Sequence, residues 1–184
     1  LEWKFNGTTA LFTFHSETLS TADTRKEIKR ILKIIGDSNI GALFTYANSD
    51  DGGRVINNEI EEFASKDKEK YLVVKSLGQL KYLSAMKQLD LIIGNTSSGI
   101  IESASFQKPV VNIGSRQDGR LRSKNVIDCT VKGLKKAIEL SLSSDFSDSI
   151  KAVKNLYGDG QSANRIVKKL EDQSLSIIKK FRDL

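Results

Sequence analysis

Short apolar runs alternate along this chain with segments of helical period, which restricts it to a fold assembled from βα units. Residues 10–14 (ALFTF) read as a first strand. A helix follows over 23–35, with Ile28, Ile31, Leu32 and Ile35 on one face. Gly36-Asp37-Ser38-Asn39 ends that helix, 40–46 is a second strand, and 57–65 is a helix carrying Ile60, Phe63 and Ala64. Strands three to five are expected over 71–75, 89–93 and 110–113. Helices lie between them over 77–88, with Leu80, Leu83 and Met86 at apolar spacing, and over 98–106. Residues 125–128 form a short sixth strand, and two or three helices follow from Lys132.

Strands that are apolar on both faces belong to a parallel sheet covered by helices on each side. Six such units predict an α/β fold, a three-layer doubly wound parallel sheet of Rossmann-like type. Ligands of such sheets bind beyond the carboxyl ends of the strands. The unusual polar clusters all fall at those ends: His15, residues 48–53, 76–78, 95–99 and 114–122. No internal repeat, low-complexity tract or linker divides the chain, so residues 1–184 read as one domain with C-terminal helices from about 131.

Composition narrows the function classes. A length of 184 residues is enough to bury one core. The lone cysteine, Cys129, allows no internal disulfide and points to a reducing, cytoplasmic setting. His15 is the only histidine, so a zinc site is not expected, nor is any other metal or cofactor. No apolar run approaches the ~18–20 residues needed to span a bilayer, and Leu1-Glu2-Trp3-Lys4-Phe5 does not begin a signal peptide. The net charge of +6 raises nucleic acid as a partner. Yet the lysines are interleaved with acids, as in Lys26-Glu27-Ile28-Lys29-Arg30, and no basic arm, RNP motif or zinc-finger spacing is present. Solvated helix faces and steering of an anionic ligand explain the charge without nucleic acid.

The strongest cluster is Gly94-Asn95-Thr96-Ser97-Ser98-Gly99-Ile100-Ile101-Glu102, where a buried strand turns through small residues into a helix. Unpaired N–H groups and hydroxyls at such a turn suit a phosphate or diphosphate, and glycine lets the ligand approach the backbone closely. Glu102, about one turn beyond Ser98, can accept from two ribose hydroxyls; the same residues also read as a stretched capping box. Neither G-x-x-x-x-G-K-[ST] nor G-x-G-x-x-G occurs, which disfavours a P-loop or dinucleotide site. Arg116, Arg120 and Arg122, in the loop after the fifth strand, can clamp a diphosphate or form a solvated basic loop. His15 can donate to a phosphate, move a proton in catalysis, or be structural.

In the same order, the strings Thr13-Phe14-His15-Ser16-Glu17-Thr18, Tyr46-Ala47-Asn48-Ser49-Asp50-Asp51-Gly52-Gly53, Gly94-Asn95-Thr96-Ser97-Ser98-Gly99-Ile100-Ile101-Glu102 and Asn112-Ile113-Gly114-Ser115-Arg116-Gln117-Asp118-Gly119-Arg120 resemble UDP-N-acetylglucosamine 2-epimerases. The likeness runs through Tyr157-Gly158-Asp159-Gly160 to the last helix, and the Arg-Gln-x-Gly-Arg loop resembles the hydrolysing branch, which makes precursors of sialic acid and related sugars. It implies the C-terminal domain of a two-domain GT-B-type enzyme, with the N-terminal domain and its acid/base carboxylates absent from this chain. The implied roles are diphosphate binding for Ser97, Ser98 and Gly99, ribose binding for Glu102, and uracil reading by the backbone at Ser76 and Leu77. His15, as a catalytic residue, and Arg116 would lie near the phosphates. Thr96 replaces the family's more usual serine and keeps the hydroxyl.

The implied parent reaction converts UDP-N-acetylglucosamine and water to N-acetylmannosamine and UDP through a glycal. UDP and a UDP-N-acetylhexosamine are the implied partners, without nucleic acid or membrane, and the full-length parent is expected to form a homo-oligomer. Lacking a starting Met, the chain reads as an excised fragment or processed product, expected to bind UDP without turnover. The competing expectations are half of a GT-B glycosyltransferase and a non-enzymatic sensor of nucleotide sugars.

Overall fold

The structure is a computed structural model and describes residues 3–17 and 23–173. Residues 1–2, 18–22 and 174–184, over which the expected domain and resemblance also extend, lie outside the described residues.

The apolar runs become six strands, β1 (Thr9–Thr13), β2 (Gly41–Thr45), β3 (Tyr71–Val74), β4 (Leu91–Gly94), β5 (Val110–Ile113) and β6 (Val126–Cys129). They form a sheet of order β3-β2-β1-β4-β5-β6 in which every neighbouring pair is parallel. Chain order reverses between β1 and β4, where Thr13 is paired with Gly94. That reversal opens the crevice in which a doubly wound sheet receives its ligand.

Helices α1 (Thr24–Asp37), α2 (Gly53–Ala64) and α5 (Leu134–Ser141) cover one face, and α3 (Gly78–Gln88) and α4 (Ser97–Ile101) the other. Alternate residues of each strand therefore enter different cores. Ala10, Phe12, Ala42, Phe44, Ile93 and Val111 pack against Ile28, Ile31, Ile35, Ile56, Ile60 and Ile138. Leu11, Leu43, Ile92 and Val110 pack with Leu77, Ala85 and Met86. Phe12 and Phe44 meet edge to face with ring centroids 5.2 Å apart. Each fully buried Val, Leu, Ile, Phe or Met side chain among these contributes about 1.5–3 kcal/mol through area removed from water. A short helical turn (Ser103–Phe106) follows α4, another (Val131–Gly133) precedes α5, and α6 (Ser144–Ile150) and α7 (Ser162–Glu171) end the described chain.

Three expectations need correction. Helix α2 begins at Gly53 rather than near Asn57, because Gly52 turns the chain at φ +82° and Ile56, fully buried, draws the first turn onto the sheet. The inward side of α3 carries Ala85 and Met86, with Tyr82 and Leu83 half-buried, whereas Leu80 is 81% exposed. The α-helix predicted over 98–106 is one turn of α4 followed by a 3-10 turn. Among the described residues, no helix is long and apolar enough to cross a membrane.

Candidate functional site

A cavity of about 350 Å³ opens at the carboxyl ends of β1–β4. Thr13 and Thr45 end β1 and β2, Lys75, Ser76 and Leu77 follow β3, Tyr82 comes from α3, and Thr96, Ser98 and Glu102 come from α4 and its flanks. The structure thus brings together Ser76, Leu77, Ser98 and Glu102, four of the residues singled out in the sequence. Leu77 is buried and helps anchor the start of α3 to the core, while Ser76 is exposed and accepts from the Gly78 N–H at 3.3 Å.

Hydroxyls line the floor. The Thr13 and Thr45 Oγ1 atoms lie 2.6 Å apart, and the Tyr82 phenol reaches Thr13 Oγ1 at 3.3 Å. Burial pushes the Tyr82 pKa up, opposed by hydrogen bonds to the Thr13, Ser98 and Thr96 side chains, while the Glu102 carboxylate adds to the rise. Tyr82 therefore stays a neutral phenol, able to donate or accept within this chain of hydroxyls. The sequence reading missed it, treating α3 only as an amphipathic helix; its position over the end of β1 depends on long-range packing.

Glu102 closes the cavity. Its Oε2 is buried and has no hydrogen-bond partner among the described residues. The capping-box alternative does not hold: Thr96 is the N-cap of α4, no side chain caps that helix, and Glu102 stands at its C-terminal end. A buried acceptor without a donor is unfavourable by about 1–3 kcal/mol, more when charged, and marks a place for a donor from a ligand.

The turn into α4 divides its residues between framework and cavity. Gly94 adopts φ +140°, and a Cβ there would lie 1.9 Å from the Thr13 carbonyl oxygen. Gly99 is buried, and a Cβ on it would meet Val110 Cγ1 at 3.2 Å and Ile92 Cγ2 at 3.7 Å. Its missing side chain thus lets α4 lie close to the sheet. Ser97 opens the helix, half-buried and outside the cavity lining. Asn95, fully buried, is a strut: its side chain accepts from the His15 N–H and donates to the His15 carbonyl, while its own carbonyl accepts from Arg116 Nη1 and Gln117 Nε2.

His15 and Arg116 flank this strut rather than line the cavity. The Asn48 N–H donates to His15 Nδ1 at 3.0 Å, which leaves the ring proton on Nε2. Burial, and then the Arg116 charge, lower the His15 pKa to about 4, against weaker raising contributions from Asp50 and Asn48. At neutral pH His15 is an uncharged N–H donor. Arg122 is engaged by Asp128 of β6 at 3.2 Å and by the Gln117 and Arg120 carbonyls of its own loop. Arg120 is exposed and outside the cavity lining. Of the three arginines, Arg116 is the one whose guanidinium reaches the serine turn.

With this geometry in hand, known proteins are informative. Residues 2–171 match the family described as UDP-N-acetylglucosamine 2-epimerase. The whole chain is 41% identical to the GDP/UDP-N,N'-diacetylbacillosamine 2-epimerase (hydrolyzing) of Campylobacter jejuni and covers 49% of it. Over 84% of its length it is 32% identical to the UDP-N,N'-diacetylbacillosamine 2-epimerase (hydrolyzing) of Legionella pneumophila, covering 40% of that protein. The crystal structure of UDP-GlcNAc 2-epimerase from Neisseria meningitidis bound to UDP-GlcNAc superposes on 90% of the chain with a TM-score of 0.70, covering 45% of that protein at 13% identity. That likeness establishes the fold, the Rossmann-like half of a GT-B-type architecture. The chain spans about half the length of the curated relatives it matches.

Proposed function

The chain belongs to the UDP-N-acetylglucosamine 2-epimerase family, and from that premise we propose that residues 1–184 are the UDP-binding, C-terminal domain of a hydrolysing 2-epimerase. The observation that carries this reading is the unpartnered Glu102 Oε2, set in a cavity it shares with Ser76, Leu77 and Ser98 at the sheet's reversal point. Glu102 takes the ribose diol, a pair of donors matched to a carboxylate. The backbone at Ser76 and Leu77 reads the uracil, and the turn at Ser97, Ser98 and Gly99 holds the diphosphate with His15 and Arg116.

In the whole enzyme the proton at sugar C2 is removed, the C1–oxygen bond to UDP breaks, and a glycal forms. Water then adds to the glycal to give the free C2-epimeric sugar. Negative charge develops on the diphosphate as it leaves, and donors already in place stabilise it. His15 Nε2–H and the Arg116 guanidinium do this without a proton transfer, since His15 is neutral near pH 7. The groups that move the C2 proton belong to the part of the relatives that this chain does not span. The substrate class is a UDP-linked 2-acetamido hexose, including the N,N'-diacetylbacillosamine form named in the relatives.

Titration calorimetry of the chain with UDP tests the reading, with weak binding, on the order of millimolar, expected for half of a site. A coupled UDP-release assay with UDP-N-acetylglucosamine is expected to show no turnover. No heat at millimolar UDP would overturn the nucleotide site, and turnover by the chain would overturn its assignment as half of an active site.

A further inference from the structure

The loop after β5 contains a small anion receptor, and a side chain of the protein fills it. Gly114 turns the chain at φ +77°, which directs the next two N–H groups to the same side. Ser115 N–H and Arg116 N–H donate to Glu17 Oε1 at 3.2 and 3.1 Å, and the Ser115 hydroxyl donates to Glu17 Oε2 at 3.0 Å. Gly114 serves twice here, because a Cβ on it would lie 2.6 Å from Glu17 Oε1. The receptor and its carboxylate are therefore fitted to each other.

A carboxylate at the edge of a site for an anionic ligand needs an explanation. Glu17 lies two residues beyond His15, and its charge also reaches Glu27, contributing after burial to the raised pKa of that group. Like charges repel, so Glu17 holds this position against Glu27 through the three donors of the loop. What the contact achieves is a second tie between the ends of β1 and β5. Asn95 makes the first, holding the His15 backbone on one side and Arg116 Nη1 on the other. Glu17 holds the Arg116 backbone directly. Arg116 is otherwise exposed, and its guanidinium bond to the Asn95 carbonyl is a long 3.2 Å. An arginine held only at its tip would lose side-chain and loop entropy on meeting a phosphate; one whose backbone is pinned loses less.

We propose that Glu17 is a positioning residue for the diphosphate site: its carboxylate fills the receptor at Gly114–Arg116 and thereby presents the Arg116 guanidinium to the ligand. This role rests on the UDP reading above. It assigns the residue after His15-Ser16 to ligand binding at one remove, without contact between Glu17 and the nucleotide.

The test is UDP affinity by calorimetry for the wild-type chain and for Glu17→Ala, Glu17→Gln, Arg116→Ala and the Glu17→Ala/Arg116→Ala pair, with amide exchange of Ser115 and Arg116 followed by NMR without ligand. Glu17→Ala is expected to weaken UDP binding roughly three- to tenfold, the size of one net hydrogen bond, because Glu17 acts on the ligand only through Arg116, and to speed exchange at both amides. Glu17→Gln keeps an acceptor oxygen for the two N–H groups and is expected to restore most of the affinity. The pair is expected to bind no more weakly than Arg116→Ala alone, because Glu17 acts through Arg116. Losses that add in the pair, or Glu17→Ala affinity equal to wild type, would overturn the positioning role while leaving the UDP reading intact. No UDP binding by the wild-type chain would overturn that reading and this role with it.

Discussion

The Asn95 side chain clasps the backbone of His15, accepting from its N–H at 2.7 Å and donating to its carbonyl at 2.8 Å. The two residues stand just beyond β1 and β4, the strands between which the sheet reverses its order. The clasp continues the β1–β4 ladder past its last pair, Thr13 with Gly94, through the Asn95 N–H to the Thr13 carbonyl. An element of the sheet thus positions the site.

Removing the clasp is expected to cost about 2–4 kcal/mol, because Asn95→Ala leaves two part-buried backbone groups of His15 unpaired. Asn95→Asp keeps an acceptor for the His15 N–H but turns an oxygen against the His15 carbonyl, and is expected to destabilise as well. Urea unfolding of the two variants checks this; wild-type stability in both would show that the clasp contributes nothing.

His15 gives a pH signature that is easy to read, since it is the only histidine. Its imidazole NMR signals are expected to titrate with a midpoint near 4, against the ordinary 6.5. Between these values the unfolded chain takes up a proton that the folded chain refuses, so stability declines as pH falls from 6.5 towards 4 and this contribution levels off below 4. Arg116→Ala removes one lowering cause and is expected to raise the midpoint, while burial keeps it below 6.5. Bound UDP, an anion beside the ring, is expected to raise it also. A wild-type midpoint at 6.5 would contradict the geometry around His15.

Gly94 is a strict backbone requirement. Alanine there would combine φ +140° with a Cβ 1.9 Å from the Thr13 carbonyl oxygen, a contact with backbone that cannot turn aside. Gly94→Ala is expected to destabilise by more than about 3 kcal/mol. In a domain of this size that corresponds to a melting temperature lower by roughly 6–12 °C. Gly99→Ala, whose Cβ meets only side-chain atoms of Val110, Ile92 and Thr96, is expected to cost less. Equal melting temperatures for the two variants would count against this distinction.

Much of this was legible in the sequence because it rests on local signals. Ile28, Ile31, Leu32 and Ile35 share a helical period and are all buried, and the residues flanking His15, Asn95 and Arg116 fall at strand ends where chemistry-bearing side chains collect. What escaped depends on contacts distant along the chain. The Tyr82 phenol matters only because α3 crosses the end of β1, where Thr13 waits. The Glu17 carboxylate finds its partners in a loop that follows β5. Leu80 fits the apolar period of α3 yet faces outward, since the packed side of that helix is set by Ala85 and Met86. For Asn95 and Gly99, the structure adds a framework role to the ligand contact their residue type suggests, and that role was not legible because it depends on His15 and on Ile92 and Val110 in other strands.

Glu102 offers the most direct test of how the nucleotide is recognised. Its buried Oε2 lacks a donor, and the proposed one is the ribose diol. Wild-type chain is therefore expected to prefer UDP over 2'-deoxy-UDP by about tenfold or more, the effect of a hydrogen bond to a charged group. Glu102→Ala is expected to weaken UDP more than 2'-deoxy-UDP, which loses only the contact of its 3'-hydroxyl, so that the preference disappears. Glu102→Gln keeps one acceptor oxygen and is expected to fall between. Competition calorimetry with the two nucleotides checks each step. Equal affinity of the wild-type chain for both would remove the ribose from Glu102, because a carboxylate matched to a diol cannot be indifferent to the loss of one hydroxyl.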